Sequence, residues 1–151
     1  MSSRPLAPWR VPMSLLLLVA LPQLGCRSPA ELRWAVQRGT IFASAVGSVV
    51  TVPTQVVAGQ GATVTVYTVG GGCVKPAYTN SKVSGDTAVV EPFDSVVVHL
   101  PADMNCTTEL RMLPHAASVI FPQAGPGTIR IVGWNDVAHA DTTLVYNVSV
   151  Q

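Results

Sequence analysis

The stretch that decides the fold is TVTVYTV, residues 63–69. Its side chains are almost all β-branched or aromatic, which suits a pleated strand better than a helix. Valine alternates with threonine or tyrosine over its first five residues, a pattern that buries one face of a strand. Similar short runs are residues 48–52, 87–91, 95–100, 109–113, 117–121, 128–132 and 143–150. Gly-, Pro- and Asp-containing turns separate them at intervals of about ten residues, which predicts an all-β, antiparallel β-sandwich of about seven to nine short strands.

The N-terminal region has the pattern of an export signal. Arg4 and Arg10, with no acidic residue, precede the apolar run MSLLLLVAL at residues 13–21. This run is much shorter than the about 20 apolar residues that a helix needs to cross a bilayer. A basic start, a short apolar segment and small residues after it are typical of a secretory signal peptide. We therefore expect residues 1–25 to be a signal peptide and the rest of the chain to be exported.

The end of this signal admits two interpretations. Residues 21–26, LPQLGC, resemble a bacterial lipobox, in which cleavage leaves an N-terminal Cys that carries a lipid. Gly25 and Cys26 match that motif, whereas Gln23 stands where an aliphatic residue is usual. The alternative is a small-x-small site that would release a soluble protein cut after Ala30. We favour lipidation of Cys26, with residues 26–38 as lipid anchor and tether. Around Trp34, apolar and polar residues alternate in a pattern that favours a strand over a helix.

The remaining cysteines, Cys73 and Cys106, are even in number and 33 residues apart. In an oxidising compartment a single disulfide between them is the economical prediction. Two free or metal-binding thiols are the alternative.

Residues 52–74, VPTQVVAGQGATVTVYTVGGGCV, and the run GPGTIRIVG at 125–133 carry a resemblance to a protein class. They resemble the immunoglobulin-like β-sandwich domains of small, mostly uncharacterised bacterial secreted proteins and lipoproteins. The resemblance covers residues 39–151 and implies an immunoglobulin-like fold for them. Antibody-type domains match less well, because no Trp stands between Cys73 and Cys106. The disulfide should therefore tie a loop to a neighbouring strand instead of joining the centres of the two sheets.

The strongest candidate metal site combines soft sulfur and imidazole ligands, as copper centres on β-sandwiches do. Its members would be His99, Met104, Cys106, Met112 and His115. In cupredoxins the Cys, the second His and the Met crowd onto one short loop, whereas Cys106 and His115 are nine residues apart and no Met follows. We therefore predict no metal site and no cofactor, and keep a small copper-binding or redox protein as the alternative function.

Catalytic, calcium and nucleic-acid functions have weaker support. His139 and Asp141 would share a face of a strand, but no nucleophile motif accompanies them, so we predict no catalytic residues and no enzyme. The acidic residues Asp86, Glu91 and Asp94 lack the density of a calcium-binding loop. Residues 39–151 contain four Lys and Arg against seven Asp and Glu, a balance that disfavours nucleic acid as a partner.

These features together predict an exported module, lipid-anchored to the bacterial cell envelope and otherwise periplasmic or secreted. Its partners would be the membrane, through the N-terminal lipid, and an unknown protein or glycan of the envelope. Its role would be binding or structural.

Overall fold

The computed structural model describes residues 31–42 and 49–151, which form two β-sheets. The strands in this part of the chain are β1 (Arg33–Arg38), β2 (Val50–Thr51), β3 (Gln55–Val56), β4 (Gly61–Gly70), β5 (Val74–Ser84), β6 (Thr87–His99), β7 (Arg111–Ile120), β8 (Gly125–Asn135) and β9 (Ala140–Val150). The all-β class and the strand number agree with the prediction. The signal peptide and the lipidation at Cys26 were predicted for residues that lie outside the described ones.

Sheet A has six strands, in the order β1-β6-β8-β9-β3, with β5 also paired to β6. Sheet B has three strands, in the order β2-β4-β7. The long strand β6 organises sheet A, because its first part pairs with β8 and its last part with β1, while β5 runs along it as a hairpin partner.

The prediction of wholly antiparallel sheets needs a correction, since β6 pairs with β8 and β3 pairs with β9 in parallel. The chain leaves sheet A at the end of β6, returns along β7 in sheet B and re-enters sheet A as β8. Because one reversed strand in the opposite sheet separates them along the chain, β6 and β8 run in the same direction. Local residue patterns specify strands but not this choice of neighbour.

Residues 33–38, which the sequence analysis placed in the tether, form the antiparallel strand β1 of sheet A. Immediately after it the chain crosses between the sheets: the Gly39 amide donates to the Pro92 carbonyl at 2.9 Å, and the Val69 amide of sheet B donates to the Thr40 carbonyl at 2.9 Å. Two glycines allow this crossing. A Cβ on Gly133 would lie 2.6 Å from the Cγ1 of Ile41, and one on Gly39 would collide with the Thr68 side chain.

The apolar core lies between the sheets and follows the alternation of each strand. Its fully buried members include Val64, Val66, Val90, Phe121, Ile129 and Ile131. The sandwich has two ends, which we call the β1 end and the hairpin end. The β1 end carries the start of β1, β5 and β7 and the end of β4 and β6; the hairpin end carries the β5–β6 turn at Gly85 and the end of β7.

Candidate functional site

The disulfide lies at the β1 end. Cys73 and Cys106 are joined, with their Cα atoms 5.2 Å apart. Cys73 directly precedes β5, and Cys106 lies in the connection from β6 to β7. The Val97 amide donates to the Cys73 carbonyl at 3.1 Å, and the Gly72 amide donates to the Thr107 carbonyl at 3.1 Å. The bond therefore ties an exposed loop to the edge of sheet A, as the sequence predicted, and leaves the centre of the sandwich unbridged.

The structure disperses the candidate copper ligands. Cys106 is committed to the disulfide. Met112 and His115 point to opposite faces of β7, the first exposed and the second buried, while His99 is exposed where β6 ends. Within residues 31–42 and 49–151, no three His, Cys, Asp or Glu side chains are grouped so that they could hold a metal ion.

His115 instead belongs to a buried polar cluster that consists of Asp94, His115, Thr68 and Thr79. Its Nε2 lies 2.9 Å from the Oδ1 of Asp94 and 3.1 Å from the Oγ1 of Thr68. Its Nδ1 lies 3.3 Å from the Oγ1 of Thr79. Asp94 and Thr79 come from sheet A, and His115 and Thr68 come from sheet B. The cluster therefore links the two sheets through side chains.

The chemistry of the partners assigns the donor in the central contact of this cluster. A carboxylate oxygen accepts hydrogen bonds, so the 2.9 Å contact pairs the Nε2–H of His115 as donor with the Oδ1 of Asp94. The Thr79 hydroxyl, which can donate or accept, forms a hydrogen bond with the other ring nitrogen. The His115 and Asp94 side chains are exposed by only 1% and 2%. Water does not compete for these bonds, and the cluster acts as a structural tie between the sheets.

Asp94 also lies at the wall of a cavity of about 240 Å³ at the β1 end. Gln37, Thr40 and Asp136 supply other polar parts of its lining, which also includes Leu110 and Gly71. The Thr40 hydroxyl is 3.4 Å from the Oδ2 of Asp136. This cavity shows that the β8–β9 turn, the β6–β7 connection and the end of β4 converge at the same end of the sandwich.

The other acidic residues considered for chemistry lie apart. Asp86 accepts a hydrogen bond from the Thr87 hydroxyl at 2.9 Å in the β5–β6 turn. Glu91 pairs with the Nη2 of Arg38 at 2.9 Å, and Asp141 pairs with the Nη1 of the same guanidinium. Asp141 thus serves an ion pair on the outer face of sheet A. His139, its proposed companion, lies in the β8–β9 turn with a positive φ of 49°.

The outer face of sheet A carries an aromatic surface, which we define as Trp34, Tyr78 and Phe93 and call the aromatic face. The Tyr78 and Phe93 rings stack with centroids 4.8 Å apart. The Nζ of Lys75 lies 4.3 Å from the centre of the Trp34 ring, and the Arg38 guanidinium carbon lies 5.9 Å from that of Phe93. Tyr78 is half exposed and Trp34 is 40% exposed. Aromatic rings with cations beside them can contact sugar faces or protein side chains.

Sequence reasoning missed both the polar cluster and the aromatic face. Leu113, Ala117 and Val119 alternate along β7 and thereby indicate that His115 points inward, a signal that was available. The partner Asp94 was not predictable in this way, because its pairing with His115 depends on how the sheets face each other. The aromatic face joins residues from three strands: β5 and β6 form a hairpin, whereas the pairing of β1 with β6 is non-local.

Comparisons with known proteins give no match to a family model, to a curated protein or to a solved structure. Residues 31–42 and 49–151 include no helix with the length and apolar character needed to span a membrane.

Proposed function

We propose that this protein is an exported, lipid-anchored module of the bacterial cell envelope, and that its role is to bind or structurally support another envelope component without catalysis. The observation that carries the binding role is the aromatic face. Exposed aromatic side chains held by neighbouring strands offer a large contact area at a small entropic cost, because the strands already fix their positions.

Three further features support this role and location. The paired Cys73 and Cys106 suit an oxidising compartment. The lipobox-like residues 21–26 suit export with a lipid on Cys26. The buried Asp94–His115 pair is held inside the sandwich, which leaves the exposed faces and loops as the contact surfaces.

We assign the two-sheet fold to the immunoglobulin-like class, on the resemblance of residues 52–74 and 125–133 to such domains. The parallel β6·β8 pair is a departure from the antiparallel sheets of that class. The partner would be a protein or a glycan of the envelope. Since β-sandwiches carry many unrelated functions, the proposed binding role rests on the exposed aromatic face and not on the fold.

The location can be tested by mass spectrometry of the mature N-terminus. A diacylglyceryl group on Cys26 is expected, and a Cys26→Ser variant should lose its membrane association. A free N-terminus at Glu31 would contradict the anchor.

The binding role can be tested with Trp34→Ala and Tyr78→Ala, using sedimentation with purified peptidoglycan sacculi and photocrosslinking in intact envelopes. Val145→Ala is a control on the same outer face, because Val145 is 60% exposed and lies on β9, which contributes no residue to the aromatic face. Loss of sacculus binding or of a discrete crosslink in the first two variants alone is expected. Equal behaviour of all three variants would exclude the aromatic face as the contact surface.

A further inference from the structure

Exposed apolar side chains collect at the β1 end. They are Val98, Met104, Leu110 and Val137, with exposed fractions of 60%, 44%, 74% and 84%. Val98 lies at the end of β6 and Leu110 directly before β7. Met104 is in the loop that the disulfide holds, and Val137 is in the β8–β9 turn that converges on the same cavity. Val57, Ile120 and Val145 are exposed elsewhere, but the two most exposed large apolar side chains of the described residues, Val137 and Leu110, lie at this end, which makes it the strongest candidate for an apolar contact.

The chain enters the sandwich at this same end. Arg33, the first residue of β1, pairs with His99, the last residue of β6. Cys26 precedes Arg33 by seven residues. Seven residues span at most about 25 Å when fully extended. A lipid on Cys26 would therefore hold the β1 end within about 25 Å of the bilayer surface.

The segment from Cys26 to Arg33 is too short to let the hairpin end face the bilayer. The thirteen residues of β6 make the sandwich about 40 Å long between its two ends. If the hairpin end rested on the bilayer, Arg33 would stand about 40 Å above it. The tether could not span that height, so an upright domain must present its β1 end to the lipid.

The charges at this end permit such contact. Arg33 and Lys75 are cationic, and Arg111 is paired with Glu109 at 2.9 Å. Asp103 and Asp136 approximately balance the first two, so the end is close to neutral. Contact would therefore depend on apolar insertion more than on anionic lipid.

From these observations we infer that the β1 end is a second membrane contact, in which Met104 and Leu110 insert shallowly among lipid headgroups beneath the anchored domain. This inference rests on the proposed lipid anchor. It also gives the molecule an orientation, with the β5–β6 turn and the 121–126 loop at the hairpin end directed away from the membrane.

The test compares Leu110→Trp with Ile120→Trp in the full mature chain reconstituted in phosphatidylethanolamine–phosphatidylglycerol vesicles. Leu110 directly precedes β7 and Ile120 is its last residue, so the two positions lie at opposite ends of the sandwich. Both are exposed, which makes them matched sites for a bulky probe. Nitroxides at the headgroup and at a shallow acyl position report the depth of the added Trp, after subtraction of the parent chain's fluorescence. We expect strong quenching of the Trp at 110 and none at 120. Mass spectrometry of the same samples reports the lipid on Cys26.

Each outcome has a distinct meaning. A lipid on Cys26 with quenching confined to position 110 supports the inference. A lipid with equal quenching, or none, at both positions overturns it and leaves the anchor intact. Quenching at 110 that is lost when envelope proteins are added also overturns it, because a protein partner would then cover this end. If Cys26 carries no lipid, the proposed anchor fails; the contact then stands only if the unlipidated chain still shows quenching at 110, and is overturned otherwise.

Discussion

Replacing one member of the buried Asp94–His115 pair should destabilise the domain far more than its size suggests, and replacing both should recover most of the loss. The informative variants are Asp94→Ala, His115→Leu and the double variant. In Asp94→Ala the His115 Nε2–H loses its carboxylate 2.9 Å away, inside a site that is about 98% shielded from solvent. In His115→Leu the carboxylate of Asp94 stays buried without its imidazole donor. In the first variant Nε2 keeps only the Thr68 hydroxyl, 3.1 Å away, and in the second the carboxylate stays almost fully shielded from bulk water.

The magnitude follows from this burial. Breaking a buried pair by removing one partner costs about 3–5 kcal/mol, against a total stability of roughly 5–15 kcal/mol for a domain. Removing both partners leaves mainly a small void and two threonine hydroxyls, at a cost of about 2–3 kcal/mol. The sum of the two single changes is about 6–10 kcal/mol, so the double-mutant cycle should show a coupling of at least about 3 kcal/mol.

Urea unfolding with the disulfide intact, followed by circular dichroism, measures these free energies, and an unchanged m-value verifies that the same surface unfolds. Calorimetry should show the melting temperature of each single variant lowered by about 12–20 °C, at about 4 °C per kcal/mol for a domain of this size. Thr79→Val is a mild control, because its 3.3 Å contact with Nδ1 contributes about 1 kcal/mol. Single variants that cost under about 1 kcal/mol, or a strictly additive double variant, would refute the assignment of a buried coupled pair.

The remaining predictions concern the disulfide, the close approach of Ile41 to Gly133 and the ion pairs of Arg38. Replacing Cys73 and Cys106 together by Ser should lower the free energy of unfolding by about 4 kcal/mol, measurable by urea titration, since it releases a loop of 33 residues; an unchanged midpoint would contradict this. Gly133→Ala should cost about 1–3 kcal/mol, and Ile41→Ala in the same chain should relieve part of that cost, because the new Cβ would lie 2.6 Å from Ile41. Arg38→Gln should cost no more than about 1 kcal/mol and should cost less in high salt, as its guanidinium side chain is 26% exposed; a larger, salt-independent loss would contradict a surface ion pair.

The sequence allowed the strands to be predicted, but not their neighbours. Alternation in residues 63–69 identifies β4 from local information, because each side chain's face depends only on its position in the strand. The parallel pairing of β6 with β8 and the crossing at Gly39 depend on contacts between distant parts of the chain. For the same reason β1 was placed in the tether, since its alternation is visible in the sequence while its partner β6 is not.

The same distinction between local patterns and long-range contacts applies to the candidate sites. The pairing of Cys73 with Cys106 needed only a count of cysteines outside the predicted signal. The inward direction of His115 follows from the period of β7, whereas its contact with Asp94 follows from the way sheet A covers sheet B. His115, a candidate copper ligand, instead contacts Asp94, which the sequence analysis considered only as a candidate calcium ligand.

The two ends of the sandwich are built differently, and this difference bears on function. The contiguous apolar core includes Val66 and Ala117, but the next inward positions toward the β1 end are Thr68 and His115, which belong to the polar cluster. Beyond them come the buried Leu113, the cavity and the disulfide, while apolar side chains such as Leu110 are exposed. This end therefore combines buried polar side chains with exposed apolar ones. Buried polar groups cost stability unless they are hydrogen-bonded, and exposed apolar groups favour contact with another surface. The Asp94–His115 hydrogen bond satisfies buried polar groups and the disulfide fixes the exposed loop. A lipid surface beneath the β1 end would cover the exposed apolar side chains.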